Sequence, residues 1–177
     1  MISDRRIGKA REEHRKALEG YSRSALRLSD EEWLAPRSGG GWSPAAITEH
    51  LILAYDVALR QISGGEGATP IVGPIRATLL RWVLLPHILF HRTLPKTRAP
   101  RETHPEGVSG PPEAAVQRLR ETAARFEQLA LDPVRISARS LHHPYFGCIT
   151  SFQFLRLSAV HIEHHGRQLC AGREMLR

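Results

Sequence analysis

Apolar positions return every three or four residues in four long stretches of the chain, and those stretches frame everything else. In the first, Ile7, Ala10, His14, Ala17, Tyr21, Ala25 and Leu28 share one side of a helix that Asp4 can cap and that runs to about Leu28. Ser29-Asp30-Glu31-Glu32 has the form of a capping box and starts one short turn through Trp33. Pro36 and Gly39-Gly40-Gly41 make a loop. Ser43 caps a second helix, with Pro44 at the first helical position, where a missing N–H costs nothing. Its apolar face carries Ile47, Leu51, Ala54, Val57, Ala58 and Ile62, and at about 100° per residue His50 falls inside that arc. Glu49 and Asp56 point away from it, and Gly64-Gly65 ends the helix.

Residues 66–111 are patterned less clearly. Pro74 starts a helix expected to reach Leu94, with Ile75, Leu79, Trp82, Val83 and Leu89 as its buried side, and Pro86 is expected to kink or divide it. Lys96 to Pro112 reads as an extended connection over the surface. Pro112-Glu113 begins the third long helix, on Val116, Leu119, Ala123, Phe126 and Ala130, and Asp132-Pro133 stops it. Thr150-Ser151-Phe152-Gln153 is another capping box and opens the last helix, through about Cys170, with Gly172 as its stop. Phe152, Leu155, Ala159, Ile162 and Leu169 face one way there, and Phe154, Ser158, His161 and His165 form the adjoining stripe. No strand pattern stands out. The expected fold is therefore all-α: a four-helix bundle with an extra helical insert between the second and third long helices, in one domain over 1–177.

Composition narrows the partners. The chain has 177 residues, 41% of them hydrophobic, which suits one globular core. Two cysteines, Cys148 and Cys170, make no disulfide framework, and no signal peptide is read after Met1, so a cytoplasmic setting is expected. The most apolar run, Leu79 to Phe90, is too short to span a bilayer, and no membrane partner is expected. A net charge of +7 favours anionic company, but the cations are scattered, and nucleic acid is not expected as a partner.

Ten histidines remain to be sorted. His161 and His165 stand four apart, one turn above the other on one helical face, a spacing at which two imidazoles can close on one metal ion. His50 is the third imidazole on a core-facing position. His87 and His91 share the spacing but sit beside Pro86 with no third partner, so they read as surface or packing residues. His14 reads as a core histidine satisfied by hydrogen bonding rather than as a fourth ligand. His104, His142 and His143 fall in loops and stay unassigned. His164 reads as a neighbour of the site or as exposed.

Trp42-Ser43-Pro44-x5-His50, then Gly147-x-Ile149-Thr150, then His161-x-x-His164-His165-x-x-Gln168 resembles the DinB/YfiT-like family of metalloenzymes. The resemblance runs in order along nearly the whole chain, including the Ser-Asp-Glu-Glu-Trp turn before Trp42, and is weakest over 66–111. It implies a helical bundle in which His50, His161 and His165 are the ligands of a divalent metal ion, zinc or nickel first. It also implies pairing of two copies as a homodimer.

Three imidazoles and an open position are the form of a catalytic zinc site, which acidifies a bound water or polarises a carbonyl. The leading expectation is a metal-dependent hydrolase acting on a small molecule. The resemblance equally admits a thiol transferase that delivers a low-molecular-weight thiol to an electrophile, for which a basic groove should adjoin the site. The remaining class is a non-catalytic binding or dimerisation module stabilised by the metal. Imidazoles do not choose the metal. Catalytic and cofactor-binding residues are not assigned: Glu163 and Glu49 point away from the histidines, Cys170 lies too far around its helix, and Tyr145 and His143 are the loop residues that could contribute.

Overall fold

The computed structural model describes residues 2–37, 40–107, 110–133, 136 and 141–174. Six helices follow in order: α1 (Asp4–Ala25), α2 (Asp30–Leu34), α3 (Pro44–Ile62), α4 (Pro74–His91), α5 (Pro112–Ala130) and α6 (Ser151–Glu174). The four long members α1, α3, α5 and α6 form the bundle, α1 packing along α6 and α3 along α5. Apolar stripes explain the pairing, since Tyr21, Ile47, Leu51, Leu119, Phe126 and Leu155 are all essentially excluded from solvent. Each such side chain contributes roughly 1.5–3 kcal/mol by leaving water. Trp33 on the short α2 is also buried, its indole N–H donating to the Gly110 carbonyl at 3.0 Å.

Local signals fix most helix starts. Ser43 accepts from the Ala46 N–H at 3.2 Å, with Pro44 behind it, so α3 begins where His50 will face inward. Ser43→Ala should cost about 1 kcal/mol, visible as a lower midpoint in chemical denaturation with an unchanged slope. The Ser29–Glu32 box is complete, and Thr150 and Gln153 exchange the two bonds of the second box.

Several expectations need correction. Ser3, not Asp4, occupies the cap of α1, and that helix ends at Ala25. Gly172 does not stop α6, which continues to Glu174. Residues 141–149 hold a small antiparallel hairpin, β1 (Leu141–His143) with β2 (Gly147–Ile149), in the register Leu141 to Ile149. Three-residue strands are too short to show a period of two, so the sequence pattern missed them. Gly147 adopts φ 62 where the hairpin turns, a conformation that glycine takes without strain.

The insert departs furthest. Pro86 stands inside one continuous helix, on its exposed side, where water can serve the backbone around the missing N–H. The expected buried side is largely the outer one: Ile75, Leu79, Trp82 and Val83 are exposed, and Ala77, Leu85, Ile88 and Leu89 are buried. A helix apolar all round has no unique inner face, so periodicity alone could not choose. The helix ends at His91, not Leu94, because Arg92 takes the left-handed conformation at φ 54. That conformation costs a non-glycine residue roughly 1–2 kcal/mol. It aims the guanidinium at Glu163, at 2.6 and 2.9 Å, and at Glu13, at 3.2 Å, which ties the insert to α6 and α1. The connection after Lys96 is not wholly superficial either: a single 3-10 turn at Arg101–Thr103 drives Thr103 into the interior. Among the described residues no helix is long and apolar enough to cross a membrane.

Candidate metal centre

His50 projects from α3 and His161 and His165 from α6 into one cluster whose ligand nitrogens all lie within 4.8 Å of one another. The Nε2 atom of His161 is 3.2 Å from that of His50 and 3.0 Å from that of His165. Among the described residues no other such group of three occurs. For metal–nitrogen bonds of about 2.0–2.1 Å in a tetrahedron, ligand atoms stand about 3.3 Å apart, so the spacing already suits one small divalent ion.

The outer nitrogens are committed elsewhere. Nδ1–H of His50 donates to the Thr103 carbonyl at 2.8 Å, and Nδ1–H of His165 to Gln168 Oε1 at 2.9 Å. Gln168 in turn donates through Nε2 to His164 Nε2 at 2.9 Å. A neutral imidazole has one N–H, so these bonds leave the Nε2 lone pairs of His50 and His165 aimed inward. His161 can offer one proton at most to two such lone pairs. The donor set therefore fits a cation at its centre better than it fits a hydrogen-bonded trio, and the outer bonds match the orienting partners usual for metal-ligating histidines. Gln168→Leu should lower metal affinity by about 10–100-fold while leaving the fold intact, as titration against a competing chelator would read.

Burial keeps the cluster neutral. It is the largest cause holding His161 well below the ordinary imidazole range, with His165 and His50 adding to it. Burial and then His50 bring His165 to about 3, against the opposing bond to Gln168. His50 is lowered as well, chiefly by burial, with the Thr103 carbonyl opposing and His104 reinforcing. Neutral imidazole is the form that ligates.

A cavity of about 620 Å³ adjoins these histidines. Leu51, Val57, Leu80, Leu84, Ile88 and Leu157 supply apolar wall, so the inner face of α4 closes one side of it. Arg37, Lys96 and Arg98 bring positive charge to the same space. Trp42 lies tilted on His50 at 4.9 Å and edge-on to His104 at 5.1 Å, packing the ligand ring from behind.

His14 behaves as a core histidine: Nδ1–H donates to Glu127 Oε2 at 3.0 Å, and Nε2 accepts from the Tyr55 hydroxyl at 2.6 Å. His87 and His91 are exposed, their rings 4.3 Å apart. His142 and His143 lie on β1 and not in a loop as expected, and with His104 and with His164 on α6 they line the cavity. His143 stacks on Phe146 at 4.7 Å, and burial takes its imidazole down to about 3. Tyr145 donates its hydroxyl to the Arg98 carbonyl at 2.7 Å. Glu163 and Glu49 do turn away, to Arg92 and Arg118. Cys148 is exposed, and the expectation for Cys170 lies outside the described residues. Sequence reasoning missed Thr103, because a backbone carbonyl carries no residue signature. It also missed Glu127, although an acid at the edge of the apolar arc of α5, opposite a histidine in that of α1, is a legible signal.

A family model described as DinB superfamily matches residues 10–169. No curated protein and no solved structure matches the chain.

Proposed function

The chain belongs to the DinB superfamily, and from that premise we propose that His50, His161 and His165 bind one divalent ion, zinc or nickel, in a hydrolase acting on a small molecule. The observation that carries this reading is the convergence of three Nε2 atoms beside a largely apolar cavity, with the outer nitrogens of His50 and His165 already committed. When bound, such an ion supplies Lewis acidity to a carbonyl and acidifies a coordinated water. The chain's own residues do the rest. Thr103 and Gln168 hold two ligand rings in the metal-binding tautomer. Leu51, Leu84 and Leu157 exclude bulk water and receive an apolar portion of the substrate.

A second reading is a thiol transferase, favoured by Arg37, Lys96 and Arg98, which give the cavity a cationic side suited to an acidic thiol. Both are tested together. Metal-loaded and chelator-treated protein would be assayed on esters and amides, and on electrophiles supplied with low-molecular-weight thiols. Hydrolysis that requires metal and disappears in His161→Ala supports the first reading. Turnover only with a thiol transfers the conclusion to the second. Full metal occupancy without turnover on either panel leaves a metal-stabilised binding module.

A further inference from the structure

The outer side of α4 is a surface the metal centre does not explain. Ile75, Leu79, Trp82, Val83 and Phe90 are 87, 62, 65, 64 and 80% exposed. At about 100° per residue they and the exposed Pro86 fall in one arc roughly 100° wide running the length of the helix. Soluble proteins rarely leave so continuous an apolar stripe bare unless something covers it. The opposite side of the same helix is already used, since Leu80, Leu84 and Ile88 wall the cavity.

Charge selects the occupant. From residue 67 to residue 101 there is no Asp or Glu, while six Arg or Lys and two His occur in those 35 residues. Arg76 borders the apolar arc and is exposed, as is His87 on the same border. Two copies of this helix laid face to face would bring cation against cation with no acid of α4 to offset them. A helix with bulky apolar side chains on one side, bordered by cations and free of acids, has instead the make-up of one lying in the plane of a negatively charged lipid surface.

We propose that the outer face of α4 seats the protein on an anionic phospholipid bilayer, with Ile75, Leu79, Trp82, Val83 and Phe90 entering the headgroup–acyl boundary and Arg76, at the border of that stripe, meeting the phosphates. Lying on a bilayer is distinct from crossing one, which no helix among the described residues is long and apolar enough to do. This seating does not depend on the metal centre.

The test is sedimentation of the full chain with vesicles of phosphatidylcholine alone and of equal parts phosphatidylcholine and phosphatidylglycerol. Binding to the anionic vesicles should exceed that to the neutral ones by about ten-fold or more and weaken with added salt. The double variant Trp82→Glu, Phe90→Glu should lose at least about ten-fold in binding at an unchanged thermal midpoint, because both positions are exposed. Arg76→Glu should weaken binding without touching the apolar stripe. Independently, the difference in emission between wild type and Trp82→Phe should move to shorter wavelength on adding anionic vesicles. No sedimentation overturns the proposal, and so does equal binding to both vesicle types or undiminished binding by the double variant. A dimeric mass in solution that the double variant converts to a monomer also overturns it, by assigning the face to a second copy.

Discussion

Purified His165→Ala protein is expected to carry almost no divalent metal, where the wild-type chain, produced without a histidine-bearing tag, should hold near one ion per chain. His165 contributes one of three converging Nε2 atoms, 3.0 Å from its neighbour on His161. Disturbing a partner outside the ligand set typically costs about 10–100-fold in affinity, and deleting a ligand costs more. His50→Ala should fail in the same way although it lies on a different helix, and agreement between the two distinguishes one shared site from two unrelated imidazoles. Elemental mass spectrometry reads the stoichiometry. A bound ion at about a thousand times its dissociation constant adds about 4 kcal/mol to stability, so the wild type should also melt higher with metal than with chelator. Both variants should lose that difference. Wild-type protein that takes up no metal on reconstitution would remove the metalloenzyme reading altogether.

The second large effect is expected at Glu127, which is outside the ligand set. This carboxylate is 6% exposed on α5 and accepts from His14 at 3.0 Å and from Arg15 at 2.7 and 3.0 Å. Glu127→Ala leaves the buried His14 N–H without its acceptor, at a cost of about 1–3 kcal/mol. The Arg15 side chain is 68% exposed, so losing that pair adds at most about 1 kcal/mol. A total of roughly 1–4 kcal/mol corresponds to a thermal midpoint lower by roughly 2–15 °C. The effect should depend on pH. Burial pushes the Glu127 carboxyl up, but the bonds from His14 and Arg15 and their charges outweigh it and hold the group below the ordinary value of 4.5. A lowered pKa in the folded state means that the stabilisation is complete above about pH 4.5 and is lost as pH falls through the folded value. Denaturation of wild type and Glu127→Gln at neutral pH and near pH 3 should therefore show the gap between them closing on acidification. A gap that stays constant would mean that the carboxylate charge contributes nothing.

Much of the bundle was legible because each long helix carries its own evidence. Ser43-Pro44 starts α3, the capping box at Thr150 starts α6, and the three-to-four spacing of apolar residues gives each helix a face. Those signals act within a few residues of one another, so the sequence determined four helices, their approximate bounds and the inward positions of His14, His50, His161 and His165. The spacing of His161 and His165 is likewise local, one turn of one helix. Bringing His50 to them is not, because 111 residues separate His50 from His161, and the bundle alone sets which apolar face meets which. The same holds for the details that give the cluster its chemistry. The Thr103 carbonyl reaches His50 only because a 3-10 turn buries it, and Glu127 meets His14 only because α1 and α5 share the interior. The insert shows the limit most clearly. Its helix is apolar on both sides, so burying either would satisfy the pattern equally, and only contact with α6 and β2 decides that Leu85 and Ile88 turn inward while Trp82 and Phe90 turn out. Local free energies are written in neighbouring residues. The choice between two comparable faces depends on surfaces contributed by distant parts of the chain, and those come into being only when the chain has folded.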